Sequence, residues 1–421
     1  MRKIRGTHDI LLEEIKYWEL IVEKAKHLFE RAKYSEVRTP IIEDTSLFTK
    51  TIGLDTDIIS KEMYSFRDQN KRDITLRPEG TAGIVRSLVE NKMYTSNMMN
   101  RIWYYGPMFR YERPQNGRQR QFHQIGVECF GTTSPRADVE IIYLVIKLLE
   151  QLRCNNLTLE INSIGTFINR AKYQEELKNY LFSYISELDD DSLKRLYTNP
   201  LRILDSKNTH TQKILSAAPK LYNFLDLYSK RHFEFVCQYL KYLNISYIIN
   251  NKLVRGLDYY NNTAFEVKIN PSDSRSTQTI CGGGRYDNMI YQLGKVKVPA
   301  VGCAIGIERL YSLSKNRIKF FTSKTDIYIA AQGKLATQYS LFLMKFLRSR
   351  QFIVVVDFSN KIFKKQLKKA NQLSAVVCFI IGDKEMLHKI ITVKLLSDGT
   401  QEVFKQNQLH YYIQYLQNKV S

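Results

Sequence analysis

The stretch Arg101-Ile-Trp-Tyr-Tyr-Gly-Pro-Met-Phe109-Arg110-Tyr-Glu112-Arg113-Pro-Gln115-Asn-Gly-Arg118-Gln-Arg120-Gln-Phe122-His123-Gln124-Ile-Gly-Val-Glu128-Cys-Phe130 decides the fold. Arg101–Tyr105 and Gln124–Phe130 are rich in aromatic and β-branched residues and read as strands. Between them lies a charged, glycine-containing loop at Glu112–Gln121. Upstream, Ile15, Trp18, Val22, Ala25, Phe29 and Ala32 recur at three- and four-residue spacings, which predicts an amphipathic helix over Glu13–Lys33. Pro40 then forbids helix and favours an extended edge or a turn. Downstream, Val139, Ile142, Val145, Ile146 and Leu149 predict a helix over Asp138–Leu152.

Further out the texture changes twice. From about Thr166 to Asn244 the chain is helical, polar and loop-broken, the pattern of an insertion. Strand patterns return at Thr263–Ile269 and Thr279–Cys281, and Val301–Leu310 reads as a glycine-opened helix. In the last hundred residues the strand-like segments Asp326–Ala331, Phe352–Phe358 and Ala375–Ile381 alternate with helical stretches at Leu335–Arg350 and Lys361–Leu373. That alternation implies a small parallel sheet with its own core. A hairpin through Asp398-Gly399 and a final helix close it, and the boundary falls near Arg317–Lys324.

Composition sets outer limits. With 421 residues, 44% hydrophobic and 25% charged, the chain has the make-up of a globular protein of two or three domains. No apolar run approaches the roughly 20 residues that cross a bilayer. Met1-Arg-Lys-Ile-Arg-Gly is basic but no apolar segment follows, so no secretory signal is expected, and the protein is expected to stay in the compartment that makes it. The six cysteines are scattered without a C-x-x-C pair, which predicts buried reduced thiols rather than a disulfide framework or a zinc knuckle. A net charge of +21 points to a polyanion, because lysine and arginine release counterions when they neutralise phosphates. Enrichment in Lys, Ile, Asn and Tyr, all AT-rich codons, is another source of the same charge.

No G-x-x-x-x-G-K-[ST] and no G-x-G-x-x-G after a strand is present, so the usual phosphate loops are missing. Arginines stand in strand-and-loop settings instead: Arg110 and Arg113 beside Glu112, Arg255 before Tyr259-Tyr260, and Arg309 in Gly306-Ile-Glu308-Arg309. Guanidinium forks suit phosphate oxygens and stack on planar bases, although each arginine singly also suits a surface ion pair. His123 has no adjacent nucleophile, and Asp189-Asp-Asp191 fits a helix cap better than a metal site, so no metal ligand is assigned.

As ordered motifs these residues resemble a class II aminoacyl-tRNA synthetase, and more narrowly a histidyl-tRNA synthetase. Pro40 matches motif 1, a dimer-interface element; Phe109-Arg110-Tyr-Glu112 and the returning strand to Glu128 match motif 2; Gly302–Leu310 matches motif 3. Leu253-Val-Arg255-Gly-Leu-Asp-Tyr259-Tyr260 and Cys281-Gly-Gly-Gly-Arg285-Tyr286-Asp287 match the histidine branch, with Thr75–Thr81 and Asn162–Gly165 in agreement. The resemblance spans essentially the whole chain. It implies an α+β catalytic domain over residues 1–320, an antiparallel sheet flanked by helices with the helical insertion at about 166–244. An α/β anticodon-binding domain over 325–421 would follow.

It also implies roles. Arg110 and Arg309 would grip ATP phosphates, Glu112 would accept from the adenine amino group, and Phe122 with Arg309 would sandwich the base. Glu79, Thr81 and Gln124 would bind the α-amino group of L-histidine, while Glu128 and Tyr260, with Tyr259 nearby, would read its ring nitrogens. Arg255 would stabilise charge at the α-phosphate, and Arg113 and Gln115 would read the acceptor end of tRNA(His). Mg2+ would arrive with ATP, the protein would act as a homodimer, and its compartment would be a cytoplasm or a plastid stroma. Lys361, Lys364, Lys365, Lys368 and Lys369 would offer phosphate contacts in the terminal domain. Two rivals are a histidine-binding regulatory subunit and a sister synthetase for threonine, proline or glycine. Retention of the catalytic motifs and terminal domain speaks against the first, and the Arg255–Tyr260 segment against the second.

Overall fold

A computed structural model describes residues 1–53, 56–95, 99–113, 117–269, 278–315, 317–318, 325–359 and 361–420. The chain divides into two units, Met1–Lys319 and Phe320–Ser421. In the first, helix α1 (Glu13–Arg31) buries Tyr17, Trp18, Ile21, Ala25 and Phe29. Its apolar stripe is rotated from the expected one: Ile15 is exposed, and Tyr17 is turned inward to bond the hydroxyl of Ser314. Strand β1 (Ser35–Glu36) follows, then β2 (Ile42–Asp44), α2 (Thr45–Ile52), β3 (Tyr64–Arg67) and β4 (Asp73–Leu76), with β2-β4-β3 forming a small antiparallel sheet. Helix α3 (Thr81–Glu90) leads to β5 (Asn100–Phe109) and β6 (Gln121–Phe130), paired antiparallel along their full length. The hairpin is longer than the sequence pattern suggested, because glycine and proline at Gly106-Pro107 sit within the ladder.

Helix α4 (Pro135–Gln151), capped by Ser134, and β7 (Leu157–Ser163) precede the insertion, whose helices are α5 (Phe167–Phe182), α6 (Asp190–Thr198), α7 (Thr209–Ser216) and α8 (Leu227–Tyr242). Asp189 caps α6 and accepts from Ser192 and Thr211, a structural role for the acidic run. The chain returns through β8 (Ile248–Ile249), β9 (Asn261–Ile269), β10 (Gln278–Arg285), α9 (Met289–Gly294), β11 (Ala300–Gly306) and α10 (Ile307–Ser314). The expected glycine-opened helix over Val301–Leu310 is therefore corrected: its first half is strand β11, locked between β6 and β10, and helix begins only at Ile307.

Among the described residues the large sheet runs β1-β5-β6-β11-β10-β9-β7-β8, antiparallel except for its two edge pairs. Successive side chains alternate between its faces. Trp103, Val127, Cys129, Val301, Cys303 and Phe265 share one face and are buried. The other face carries Tyr104, Phe122, Gln124, Glu128 and Glu266, interleaved with Gly126, Gly282, Gly284, Gly302 and Gly306. One face is core, and the other is a trough.

The second unit has β12 (Ile327–Ala331), α11 (Lys334–Arg348), β13 (Val354–Val356), α12 (Phe363–Gln372), β14 (Val377–Ile381), α13 (Asp383–His388), β15 (Ile390–Leu395), β16 (Gln401–Lys405) and α14 (Leu409–Val420). Its sheet order is β13-β12-β14-β15-β16. The first three strands are parallel, as the alternation predicted. The Asp398-Gly399 hairpin extends the same sheet antiparallel and so makes it mixed, because strands joined by a tight turn must reverse direction.

Beneath the large sheet lies a buried ion pair. Arg285, 1% exposed, donates to Asp138 at 2.6 Å, to Asp287 at 3.1 Å and to the Thr132 carbonyl at 2.8 Å. Burial alone would raise the Asp138 carboxyl, but the Arg285 charge and the His232 and Arg285 hydrogen bonds pull it down to about 2. Removing one partner strands a desolvated charge, so Asp138→Asn should lower unfolding stability by about 3–5 kcal/mol. Urea denaturation of parent and variant checks this, and an unchanged midpoint would refute it.

Candidate active site

The trough opens into a cavity of about 350 Å³ that gathers residues from the loop between β5 and β6, from β6, β10, β11, α3 and α10, from the loop before β9 and from the insertion. Of the residues singled out from sequence, Glu79, Thr81, Arg110, Glu112, Phe122, Gln124, Arg255, Tyr259, Tyr260 and Arg309 all line it. Glu128 lies fully buried behind Thr81. Arg113 is exposed and does not line the cavity, and Gln115 lies outside the described residues.

Cations collect at one end. The Arg110 Nε donates to the Pro78 carbonyl at 2.8 Å and its guanidinium carbon sits 5.2 Å from the Phe122 ring centre. Arg309 reaches across from α10, with Nε on the Gly117 carbonyl at 3.0 Å and Nη1 on the Thr279 carbonyl at 2.9 Å. Burial, together with the neighbouring Arg118 and Arg110 charges, depresses the Arg309 pKa. Glu112 faces Arg118 at 3.3 Å and Arg110 at 3.9 Å. Fixed guanidinium groups at a part-buried site favour a polyanion strongly, because each is held by carbonyls that leave other donors free. His123 is not poised as a base: its ring and backbone nitrogens are held by Glu308 at 2.9–3.0 Å, and it packs on Trp18 and Tyr105.

Carboxyls and phenols collect at the other end. Glu79 accepts from the Thr81 and Ala82 amides at 2.8 and 2.7 Å, satisfying the N-terminus of α3. Glu128 accepts from the Thr81 hydroxyl at 2.8 Å and the Tyr286 hydroxyl at 2.5 Å. Burial pushes Glu128 up to about 8, against the lowering effect of those two hydrogen bonds, and the Glu79 charge adds to the rise. Tyr259 and Tyr260 pack against one another with ring centres 4.6 Å apart and planes tilted by 45°, and burial raises Tyr260 to about 12. Near neutrality Glu128 and Tyr260 are therefore uncharged groups that can both donate and accept. Among the described residues the buried Gln124 Oε1 has no hydrogen-bond partner, an acceptor suited to an incoming donor.

Arg255 stands between the two ends. It is paired with Glu266, its guanidinium lies 5.6 Å from the Tyr260 ring centre, and it occupies the space a side chain at Gly282 would take. Glu266 also accepts from Thr279 at 3.0 Å, so one carboxylate on β9 touches both Arg255 and the residue whose carbonyl holds Arg309. Glu266, Thr279 and Arg202 carry no motif that sequence reasoning could seize. Tyr286 stood inside the quoted Cys281–Asp287 segment without a role. Its signal was an aromatic after three glycines, which becomes a reader of Glu128 only once β10 and β6 are brought together.

Comparison with known proteins finds relatives along the whole chain. Residues 6–310 match the family model described as histidyl-tRNA synthetase, and residues 326–416 match the anticodon binding domain. The chloroplastic histidine–tRNA ligase of Pyropia yezoensis is 53% identical over 420 residues, 100% of this chain and 97% of that protein. The histidine–tRNA ligase of Cyanothece sp. is 48% identical over 96% of this chain and 94% of its own length. Among solved structures, apo histidyl-tRNA synthetase of S. aureus superposes with a TM-score of 0.81 at 35% identity, covering 98% of this chain and 99% of that one.

The raised Glu128 carboxyl gives a test that needs no substrate. Its folded pKa of about 8 lies above the unfolded value of about 4.3, so the native state holds a proton that the unfolded chain releases. The stability this supplies is whole below the lower value and is lost as pH rises through the upper one. Glu128→Gln keeps the neutral shape at every pH. Thermal melts should show the variant gaining on the parent between about pH 5 and pH 8 and then levelling; a gap constant across that range would refute a protonated Glu128.

Proposed function

The chain belongs to the histidyl-tRNA synthetase family and ligates histidine to tRNA using ATP; on that premise we propose a role for each group in the cavity. Identity of 53% along the whole chain sets aside both the regulatory-subunit and the sister-synthetase readings. The observation that carries the assignment is that Arg255 sits between an arginine-lined end and a carboxyl- and phenol-lined end of one cavity. ATP lies at the cationic end, its phosphates against Arg110 and Arg309. Glu112 accepts from the adenine amino group, and the base is sandwiched between Phe122 and Arg309.

Histidine lies at the other end. Its α-ammonium meets Glu79, Thr81 and the free Gln124 oxygen, acceptors that a cation requires. Its ring nitrogens pair with Glu128 and Tyr260, with Tyr259 packed alongside. A neutral imidazole has one donor and one acceptor, and a pocket built to satisfy both leaves its own polar groups unpaired when another side chain enters. The histidine carboxylate then attacks the α-phosphorus, diphosphate leaves, and Arg255 offsets the charge that builds on the phosphate oxygens. Transfer to the terminal ribose of tRNA(His) follows.

Residues 1–320 form the catalytic domain with the insertion at 166–244, and 325–421 bind the anticodon. Mg2+ would arrive with ATP and supply charge neutralisation at the triphosphate, leaving Glu112 to the adenine amino group. Two copies associate around Pro40, where exposed Ile41 and Ile42 favour burial against a partner. The plastid and cyanobacterial relatives support a plastid stroma or a cyanobacterial-type cytoplasm.

ATP–diphosphate exchange tests the site. Exchange should occur with histidine alone, and Arg255→Ala should lower its kcat by about 10²–10³-fold with a much smaller change in KM. Exchange surviving intact would remove Arg255 from the chemistry. The exposed Arg113 serves the tRNA step, so Arg113→Ala should impair aminoacylation far more than exchange. Equal losses in the two assays would sink that role.

A further inference from the structure

The residues proposed to read histidine, Tyr259 and Tyr260, and the proposed phosphate-stabilising Arg255 all ride on the segment Lys252–Tyr260, which has no helix or strand of its own. Backbone carbonyls in such a segment have no ladder to satisfy them, and here, at buried Tyr260 and at exposed Gly256 and Asp258 alike, the insertion supplies partners. From α5, Arg170 donates to the Tyr260 carbonyl at 2.6 Å and to the Asp258 carbonyl at 3.4 Å. From the short turn Pro200–Asp205, Arg202 donates to the Gly256 carbonyl at 2.7 Å and to the Asp57 carboxylate at 2.8 Å. Three alternate carbonyls, at 256, 258 and 260, are thus held by two guanidinium groups from a part of the chain outside the catalytic motifs.

The arginines are themselves fixed. Tyr173 and Leu177 of α5, and Ile203 and Leu204 beside Arg202, are buried in the same hydrophobic cluster as Tyr259 and Tyr260. Leu257 and Val254 of the loop pack against that cluster. By contrast, Arg110 and Arg309 are held by the carbonyls of Pro78, Gly117 and Thr279, none of which belongs to the insertion. The insertion therefore grips the amino-acid side of the cavity and leaves the ATP side to the sheet and its loops.

We propose that Arg170 and Arg202 are positioning residues for histidine recognition, so that the helical insertion is a working part of the amino-acid pocket. The proposal rests on the assignment of Tyr259 and Tyr260 to histidine. Charge-assisted hydrogen bonds to carbonyls fix the loop, and losing one lets the phenols and Arg255 drift from the substrate. The effect should appear in histidine binding and in kcat, and not in the affinity for ATP.

The test is ATP–diphosphate exchange by the full-length protein, with histidine and ATP varied separately. Arg170→Ala and Arg202→Ala should each raise KM for histidine by about tenfold, while KM for ATP stays within about twofold. Arg170→Lys and Arg202→Lys, which keep a cationic donor group but lose the planar fork, should fall between variant and parent. KM does not depend on the fraction of folded enzyme, so partial misfolding of an alanine variant leaves the readout intact, and the lysine variants provide a second series. Tyr260→Phe is the reference. If it leaves KM for histidine unchanged, the assignment of Tyr260 fails; if it raises KM while the arginine variants do not, the positioning role is overturned. KM for ATP rising in step with that for histidine would also overturn it, since general loosening rather than loop positioning would then be at work.

Discussion

The site depends on side chains that are missing. A β-sheet ordinarily projects a side chain from every second residue, which would fill the space above the trough. Here glycines on β6, β10 and β11 leave that layer empty, and larger groups lie down on the bare backbone. A side chain at Gly302 would overlap the carboxyl of Glu128, and one at Gly282 would overlap the guanidinium of Arg255. Backbone hydrogen bonds hold the floor while the glycines give up packing of their own, so β11 keeps unbroken ladders with β6 and β10 under a layer of charged groups. Burial follows directly, and burial is what drives Glu128 towards its neutral form.

The two ends of the cavity are separated by how each charge is treated. Arginines at one end are held by carbonyls and by Glu112, so they remain cations facing a space they do not fill. At the other end no cation among the described residues touches Glu128, and desolvation wins over hydrogen bonding. Arg255 is where the two treatments meet, paired with Glu266 yet lying over the Tyr260 ring. The net charge of +21 contributes little to this picture, because what matters is which few cations are aimed inward.

Much of this was legible in the sequence, and the failures have physical causes. The β5–β6 hairpin was readable because aromatic and β-branched residues flank a charged loop, and the ordered arginines located one cavity. Val301–Leu310 was misread as helix because its small residues and glycines have no periodicity; only pairing with β6 and β10 makes it a strand. Glu266 was invisible for a related reason. A lone glutamate in a strand says nothing until the register places it opposite Gly282 and beside Arg255. Arg170 and Arg202 were hidden in a segment read as an unpatterned insertion, since bonds to carbonyls leave no mark on the sequence of the acceptor.

The insertion leaves the sheet just after β7 and the chain comes back along β8, which pairs in parallel with β7. Nearby, the Ile164 amide bonds the Asn262 carbonyl at 2.7 Å, and the Asn262 amide bonds the Gly165 carbonyl at 2.9 Å. Departure and return are thus neighbours, tied by backbone bonds that do not involve the helices in between. The entropy of closing such a loop grows only logarithmically with its length. Residues can be gained or lost on the far side of the insertion with little disturbance to the strands at its root. The fold thereby separates a surface free to change from an inner face that is not, within a single excursion of the chain.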